Sequence, residues 1–194
     1  MADVASMRGL IEQFTPLTED EWQMMQSLLS ERTITRHECM IREGMMGREL
    51  GYILEGEMRH YYTHAEEQRT TYFYFENAFV GPYMSCVTGQ PSRLTIEALS
   101  DTRLLVFPYE GFKALFQRSH TWERFGRKLA EYLAIGLEDR MVGLLTLSPE
   151  ERYKDLLGSN KRKILERIPQ QHIANYLGIT PVSLSRIRKR LTDQ

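Results

Sequence analysis

The stretch Ile168-Pro-Gln-Gln-His-Ile-Ala-Asn-Tyr-Leu-Gly-Ile-Thr-Pro-Val-Ser-Leu-Ser-Arg-Ile-Arg-Lys-Arg-Leu191 reads as two short helices joined by a turn. Gly178 supplies the left-handed backbone that ends the first helix. Thr180 is placed to cap the second, and Pro181 follows where a missing N–H costs nothing. Ile173, Ala174, Leu177, Ile179, Leu184 and Ile187 are spaced to pack the two helices together. Val182, Ser183, Ser185, Arg186 and Lys189 are left on the outer face. A helical pair with hydroxyls and guanidinium outside suits the DNA major groove. Arg186 is expected to make a bidentate contact with guanine O6 and N7. Val182 is placed for a thymine methyl, and Ser183 and Ser185 for a phosphate or base edge. Gln171, at the start of the first helix, is placed for a phosphate. Arg188, Lys189 and Arg190 read as charges that steer toward the DNA backbone.

The charge distribution points the same way. Residues 1–149 carry 15 Lys and Arg against 21 Asp and Glu, a balance of −6, whereas residues 150–194 carry 10 against 5, a balance of +5. The net charge of −1 conceals this split between an acidic body and a basic tail suited to a polyanion.

Upstream, residues 8–30 show helical spacing interrupted by Pro16, and Thr18 with Glu21 has the form of a capping box. From Arg32 to Pro108 the pattern turns to strands: Leu50–Gly56, Glu57–Thr63, Gln68–Phe75, Arg93–Leu99 and Thr102–Phe107. The second and third form a hairpin across His64–Glu67. Strands at roughly ten-residue intervals indicate a β-sandwich or small barrel rather than βαβ units. The aromatic run Tyr72-Phe-Tyr-Phe75 alternates faces and reads as core packing, as does His60-Tyr-Tyr62.

A short helix over 111–117 precedes a long one over 122–147. Leu129, Leu133, Leu137, Met141 and Leu144 line one stripe of the long helix, with Phe125 and Tyr132 beside it. About 25 residues make a helix roughly 38 Å long, more than a small barrel needs to cover itself, so homodimerisation along it is expected. Ser148-Pro-Glu-Glu151 marks a new helix start and a hinge. The expected domains are 1–121, 122–147 and 148–194.

The 194 residues are 42% hydrophobic and 26% charged, as in ordinary folded proteins. No apolar run is long enough to span a membrane, and Met1–Arg8 lacks the form of a signal peptide, so a cytoplasmic location is expected. Three residues follow Leu191, so no wing is expected after the reading helix. Cys39 and Cys86 form no CxxC pattern and read as reduced thiols, and a redox pair would need the fold to bring them together. His37, His60, His64, His120 and His172 show no ligand spacing. No metal and no cofactor is expected.

The order of helical lead-in, strands, long helix and terminal helical pair resembles the Crp–Fnr superfamily of bacterial transcription regulators. The resemblance covers nearly the whole chain. It rests on Gly51-Tyr-Ile-Leu-Glu-Gly56, Phe79-Val-Gly81, Gln90-Pro-Ser-Arg93 and Glu97-Ala-Leu99. The most specific pieces are Glu150-Glu-Arg-Tyr153, Ile164 through Gln171, Ile173-Ala-Asn-Tyr-Leu-Gly-Ile179 and Ser183-Leu-Ser-Arg-Ile-Arg188. It implies an α+β chain: an N-terminal jelly-roll of cyclic-nucleotide-binding type, a long dimerisation helix and a C-terminal helix-turn-helix. It also implies a palindromic operator and contact with RNA polymerase.

Members of that family that bind cyclic AMP use a Gly-Glu-Leu segment and, about ten residues later, an Arg-Ser pair. Here the first reads Gly81-Pro-Tyr83, without the ribose-binding acid and with a backbone donor removed by Pro82. The second reads Pro91-Ser-Arg93, with the arginine after the serine and so turned to the other face of a strand. Cyclic AMP is therefore not the expected effector. A pocket for an unknown small effector is expected around Gly81, Tyr83, Met84, Ser92 and Arg93, with Tyr132 from the long helix. The alternative is a site that has lapsed.

The main reading is thus a sequence-specific, homodimeric regulator that binds double-stranded DNA. One rival is a small-molecule sensor or interaction module whose C-terminal helices bind a protein partner. An enzyme is not expected: no nucleophile sits beside a base, and neither a carboxylate pair nor a phosphate loop is present.

Overall fold

The structure, a computed structural model, describes residues 2–158 and 162–192. These form α1 (Ala2–Phe14), α2 (Glu19–Gln26), β1 (Ser30–Ile34), β2 (Cys39–Ile41), β3 (Glu49–Glu55), β4 (Met58–His64), β5 (Glu67–Tyr74), β6 (Phe79–Val80) and α3 (Tyr83–Thr88). There follow β7 (Thr95–Ala98), β8 (Thr102–Pro108), α4 (Tyr109–Phe116), α5 (His120–Thr146), α6 (Pro149–Gly158), α7 (Arg162–Arg167), α8 (Gln170–Tyr176) and α9 (Pro181–Thr192). They fall into two compact units. One runs to His60 and resumes over Phe73–Leu133, and the other joins Tyr61–Tyr72 to the chain from Ala134 onward.

The strands form two four-stranded sheets, ordered β1-β8-β3-β6 and β2-β7-β4-β5. β8 shows why the sequence folds this way. Its residues Leu104 and Val106 join Ile34, Ile53, Ile96 and Ala98 in one apolar cluster. Leu105 and Phe107 join Tyr52, Phe112, Trp122 and Phe125 in the other. With apolar neighbours on both faces, a strand reads as an unbroken hydrophobic run instead of an alternating one. β8 pairs antiparallel with β1 and β3, with Gly51 and Ser30 both opposite Val106.

Helices cover the first sheet's second face. The Phe112 ring lies 5.6 Å from Phe107 and 6.2 Å from Trp122, and Trp122 lies 6.0 Å from Phe125, all in edge-on arrangements. Such pairs add to the burial of their large apolar area. The capping box at Thr18 is present: Thr18 N–H donates to Glu21 Oε2 at 2.9 Å, and Glu21 N–H to Thr18 Oγ1 at 3.3 Å. Burial by itself would raise the Glu21 carboxyl. Hydrogen bonds from Ser119, the Thr18 backbone, Thr121 and the Thr18 hydroxyl outweigh it and bring the group down to about 2.

Several expectations move. α1 begins at Ala2 rather than near residue 8. The strand expected over Arg93–Leu99 starts at Thr95. β1, β2, β6 and α3 carry no strong pattern and are found only in the structure. The hairpin turn at Ala65-Glu66 has φ of +48° and +66°, the backbone of a type I′ turn made without Gly or Asn. Sheet pairing thus overrides the local preference of two residues that avoid this region.

The long helix divides its stripe. Trp122, Phe125 and Leu129 are buried and Leu133 packs on the same cluster, whereas Leu137 is 64%, Met141 55% and Leu144 42% exposed. The first turns are spent on the unit's own core, and the later ones keep an open apolar face. Cys39 is half-buried and Cys86 buried, and both are free thiols. Burial pushes the Cys86 thiol up to about 11. No described helix is long and apolar enough to cross a membrane, and no group of three metal-ligating side chains occurs among the described residues.

Candidate functional site

Within the second unit, α8 and α9 meet at a turn that is closed by the backbone. Gly178 has φ of +71°. Gly178 N–H donates to Asn175 O at 3.0 Å and Ile179 N–H to Ala174 O at 2.9 Å, so two terminal carbonyls of α8 are satisfied. Thr180 caps α9, its Oγ1 accepting from Ser183 N–H at 3.2 Å. Ile173, Ala174, Leu177, Leu184 and Ile187 are buried between the helices, and Ile179 is half-buried.

The outer face then follows from helical periodicity. Val182 is 61% exposed, and Ser185, Arg186 and Lys189 are exposed too. Ser183 differs: it is half-buried, and its hydroxyl lies 3.0 Å from that of Thr180. Gln171 is exposed, with its amide nitrogen 3.4 Å from His172 Nε2. A groove of about 830 Å³ brings Ser183, Arg186 and Lys189 together with Arg190 and the start of α6. Arg190 is held there by Glu150 at 3.0 Å. An array of cations and hydroxyls on one rigid helix can bond phosphates and base edges at once.

Three groups grip the end of α8 that precedes the turn. Arg140 of α5 donates Nη2 to Tyr176 O, and its guanidinium carbon lies 3.7 Å from the Tyr176 ring centroid. Burial lowers the Arg140 pKa, with Tyr176 opposing and Arg152 adding to the effect. Arg152 of α6 bonds Leu177 O. The Asn175 amide meets the hairpin backbone twice at 2.6 Å, donating to Gln68 O and accepting from Thr70 N–H. Arg152 and Asn175 belong to stretches that carry the family resemblance. Arg140 sits among exposed charges of a long helix, where periodicity cannot single it out.

The segment 81–94 in the first unit is arranged otherwise. Pro82 is buried at the start of α3, where it brings no N–H. The Ser85 hydroxyl accepts from Gly47 N–H at 2.9 Å and donates to Gln90 O. Ser92 is 4% exposed, and its hydroxyl donates to Leu94 O at 2.8 Å. Arg93 and Met84 are exposed, and Gly81 is half-buried. Tyr83 stacks edge-on with Tyr109 at 6.2 Å, whereas Tyr132 stacks on Phe14 of α1. Tyr132 is thus engaged with a different element from the other five. Deeper in the sandwich, buried Arg59 pairs with Glu97 at 2.6 Å, and His60 Nδ1 lies 2.9 Å from the Tyr74 hydroxyl. Burial pulls His60 down to about 4.

The family model described as "Cyclic nucleotide-binding domain" matches residues 31–119. The curated proteins contain no match. Among solved structures, the catabolite activator protein of Thermus thermophilus is 22% identical, with 93% of this chain and 86% of that one covered at a TM-score of 0.58. FixK2 from Bradyrhizobium japonicum is 20% identical, covering 86% and 85% at 0.71. The regulator CLP of Xanthomonas campestris is 16% identical, covering 91% and 92% at 0.68. At these identities the likeness is one of fold, and it extends through the helices after residue 119. Residues 31–119 thus match the cyclic nucleotide-binding domain model, and the chain shares its fold with the catabolite activator protein and FixK2 over most of its length.

Proposed function

We propose that this chain is a transcription regulator that binds a palindromic operator as a homodimer. The observation that carries this reading is the outer face of α9, where Val182, Ser185, Arg186 and Lys189 stand exposed above a buried seam. Arg186 reads guanine, Val182 meets a thymine methyl, and Ser183, Ser185, Lys189 and Gln171 hold phosphates or base edges. Residues 1–121 serve as the sensor-type domain, 122–147 as the dimer helix and 148–194 as the DNA-binding domain.

The exposed apolar turns of α5, around Leu137, Met141 and Leu144, are where the two subunits pair. A two-fold pair sets the reading helices about 34 Å apart, one helical turn of DNA. RNA polymerase is the protein partner that the resemblance implies. The effector, where one acts, is a small molecule other than cyclic AMP, because Pro82 withholds a donor and the Ser92 hydroxyl is already bonded.

The test is selection of sites from randomised duplex DNA by the purified protein, with and without cyclic AMP. Enrichment of one palindrome in both arms supports the reading. A palindrome that requires cyclic AMP overturns its effector half, and no enrichment in either arm overturns the DNA half.

A further inference from the structure

One guanidinium closes two helix ends in the second unit. Arg152 Nη1 donates to Leu147 O at 2.6 Å and to Gly143 O and Leu144 O at 3.4 Å, which caps the end of α5. On its other edge, Nε and Nη2 donate to Leu177 O at 3.2 and 2.9 Å, which caps α8. Arg140, six residues before the end of α5, reaches Tyr176 O and stacks on that ring. The two carbonyls gripped, of residues 176 and 177, stand immediately before Gly178. Helix C-termini leave carbonyls without partners and carry partial negative charge, so a cation there is favoured twice over. A planar fork can serve both ends together, which a lysine's single point of charge cannot. Neither arginine lies on the outer face of α9.

We propose that Arg152, assisted by Arg140, is the positioning residue that fixes the reading helix relative to α5, and so sets the separation of the two half-sites rather than the bases read in each. This rests on the proposed reading of the chain as a dimeric operator binder. A joint made of carbonyl bonds from one side chain transmits the direction of α5 to α9 without touching DNA. With it loosened, each reading head keeps its surface but loses its fixed bearing.

The experiment measures affinity of the full-length protein for its selected palindrome and for versions with the half-sites moved apart by one and two base pairs. Each step changes both separation and rotational phase. Wild-type protein is expected to lose about tenfold or more per step, and Arg152→Gln less than about threefold with the same half-site bases selected, while Arg152→Lys falls between. If Arg152→Gln weakens every spacing by one common factor, or keeps the wild-type preference, the proposal is overturned.

A second measurement needs no DNA. Spin labels at Gly136→Cys on α5 and Gln170→Cys on α8, with Cys39 and Cys86 replaced by serine, report the distance across the joint. A narrow distribution that broadens in Arg152→Gln, and less in Arg140→Gln, supports the joint, and an unchanged width overturns it. Absence of any selected palindrome with wild-type protein would overturn the DNA reading, and the label widths would still decide the joint.

Discussion

The segments 81–94 and 171–189 hold similar side chains, serines and arginine among small and apolar residues, and treat them in opposite ways. In the first, Ser85 and Ser92 are buried with hydroxyls spent on the segment's own neighbours, and Arg93 stands outside. In the second, the apolar residues close on each other, and Ser185, Arg186 and Lys189 are left exposed. A buried hydroxyl already bonded to a carbonyl is costly to redirect to a ligand, because its old partner is then left unpaired. An exposed hydroxyl on a rigid helix has no such cost. Composition alone does not distinguish a binding surface from a satisfied interior.

The sharpest contrast between packed interior and open surface is expected in stability. Trp122→Ala, at a fully buried position among Phe112 and Phe125, is expected to cost about 3–5 kcal/mol. Substitutions on the outer face of α9 should leave denaturant midpoints almost unmoved, and equal losses at both places would erase the contrast. Next comes pH. His60 falls from an ordinary value near 6.5 to about 4 in the fold because burial disfavours its charge. The unfolded chain therefore binds the extra proton, and stability that is complete above about pH 6.5 declines as pH falls toward 4, by roughly 3 kcal/mol. Urea titrations of His60→Gln should lack that limb; a limb that persists would assign it to other groups.

Arg186→Ala is expected to cost about 1–3 kcal/mol in affinity for the selected operator at fixed salt, and to relax the choice of one base in each half-site. Unchanged affinity would remove Arg186 from the reading face. A smaller effect belongs to the cap of α6, where Ser148 Oγ accepts from Glu151 N–H at 3.3 Å. Ser148→Ala should lower stability by about 1 kcal/mol, measured by chemical denaturation. The smallest expected effect is none: cyclic AMP should leave the melting temperature where it was. A rise that grows with concentration would mean that the 81–94 segment opens to ligand after all.

The terminal helical pair was legible because each of its signals is local. Gly178, Thr180, Pro181 and the apolar spacing act within a few residues, so the turn, the cap and the outward face could be read from the chain. The capping boxes at Thr18 and Ser148 are local in the same sense. The β strands were less legible where pairing, rather than pattern, makes them. β1 is largely open and polar, and β6 is two residues long, so neither alternates in a way that marks it.

The sequence by itself determined which residues face outward on α9, Ser183 excepted, the charge split between body and tail, and the absence of the Gly-Glu-Leu and Arg-Ser pattern. Only the tertiary structure decided how the α5 stripe is divided between core and open face. It also decided that the Ser92 hydroxyl is taken, and that Arg140, Arg152 and Asn175 converge on residues 175–177. The physical reason is range. Caps, turns and helical faces are set by neighbours three or four positions away, whereas a guanidinium's partners are carbonyls that the chain brings near only after it has folded.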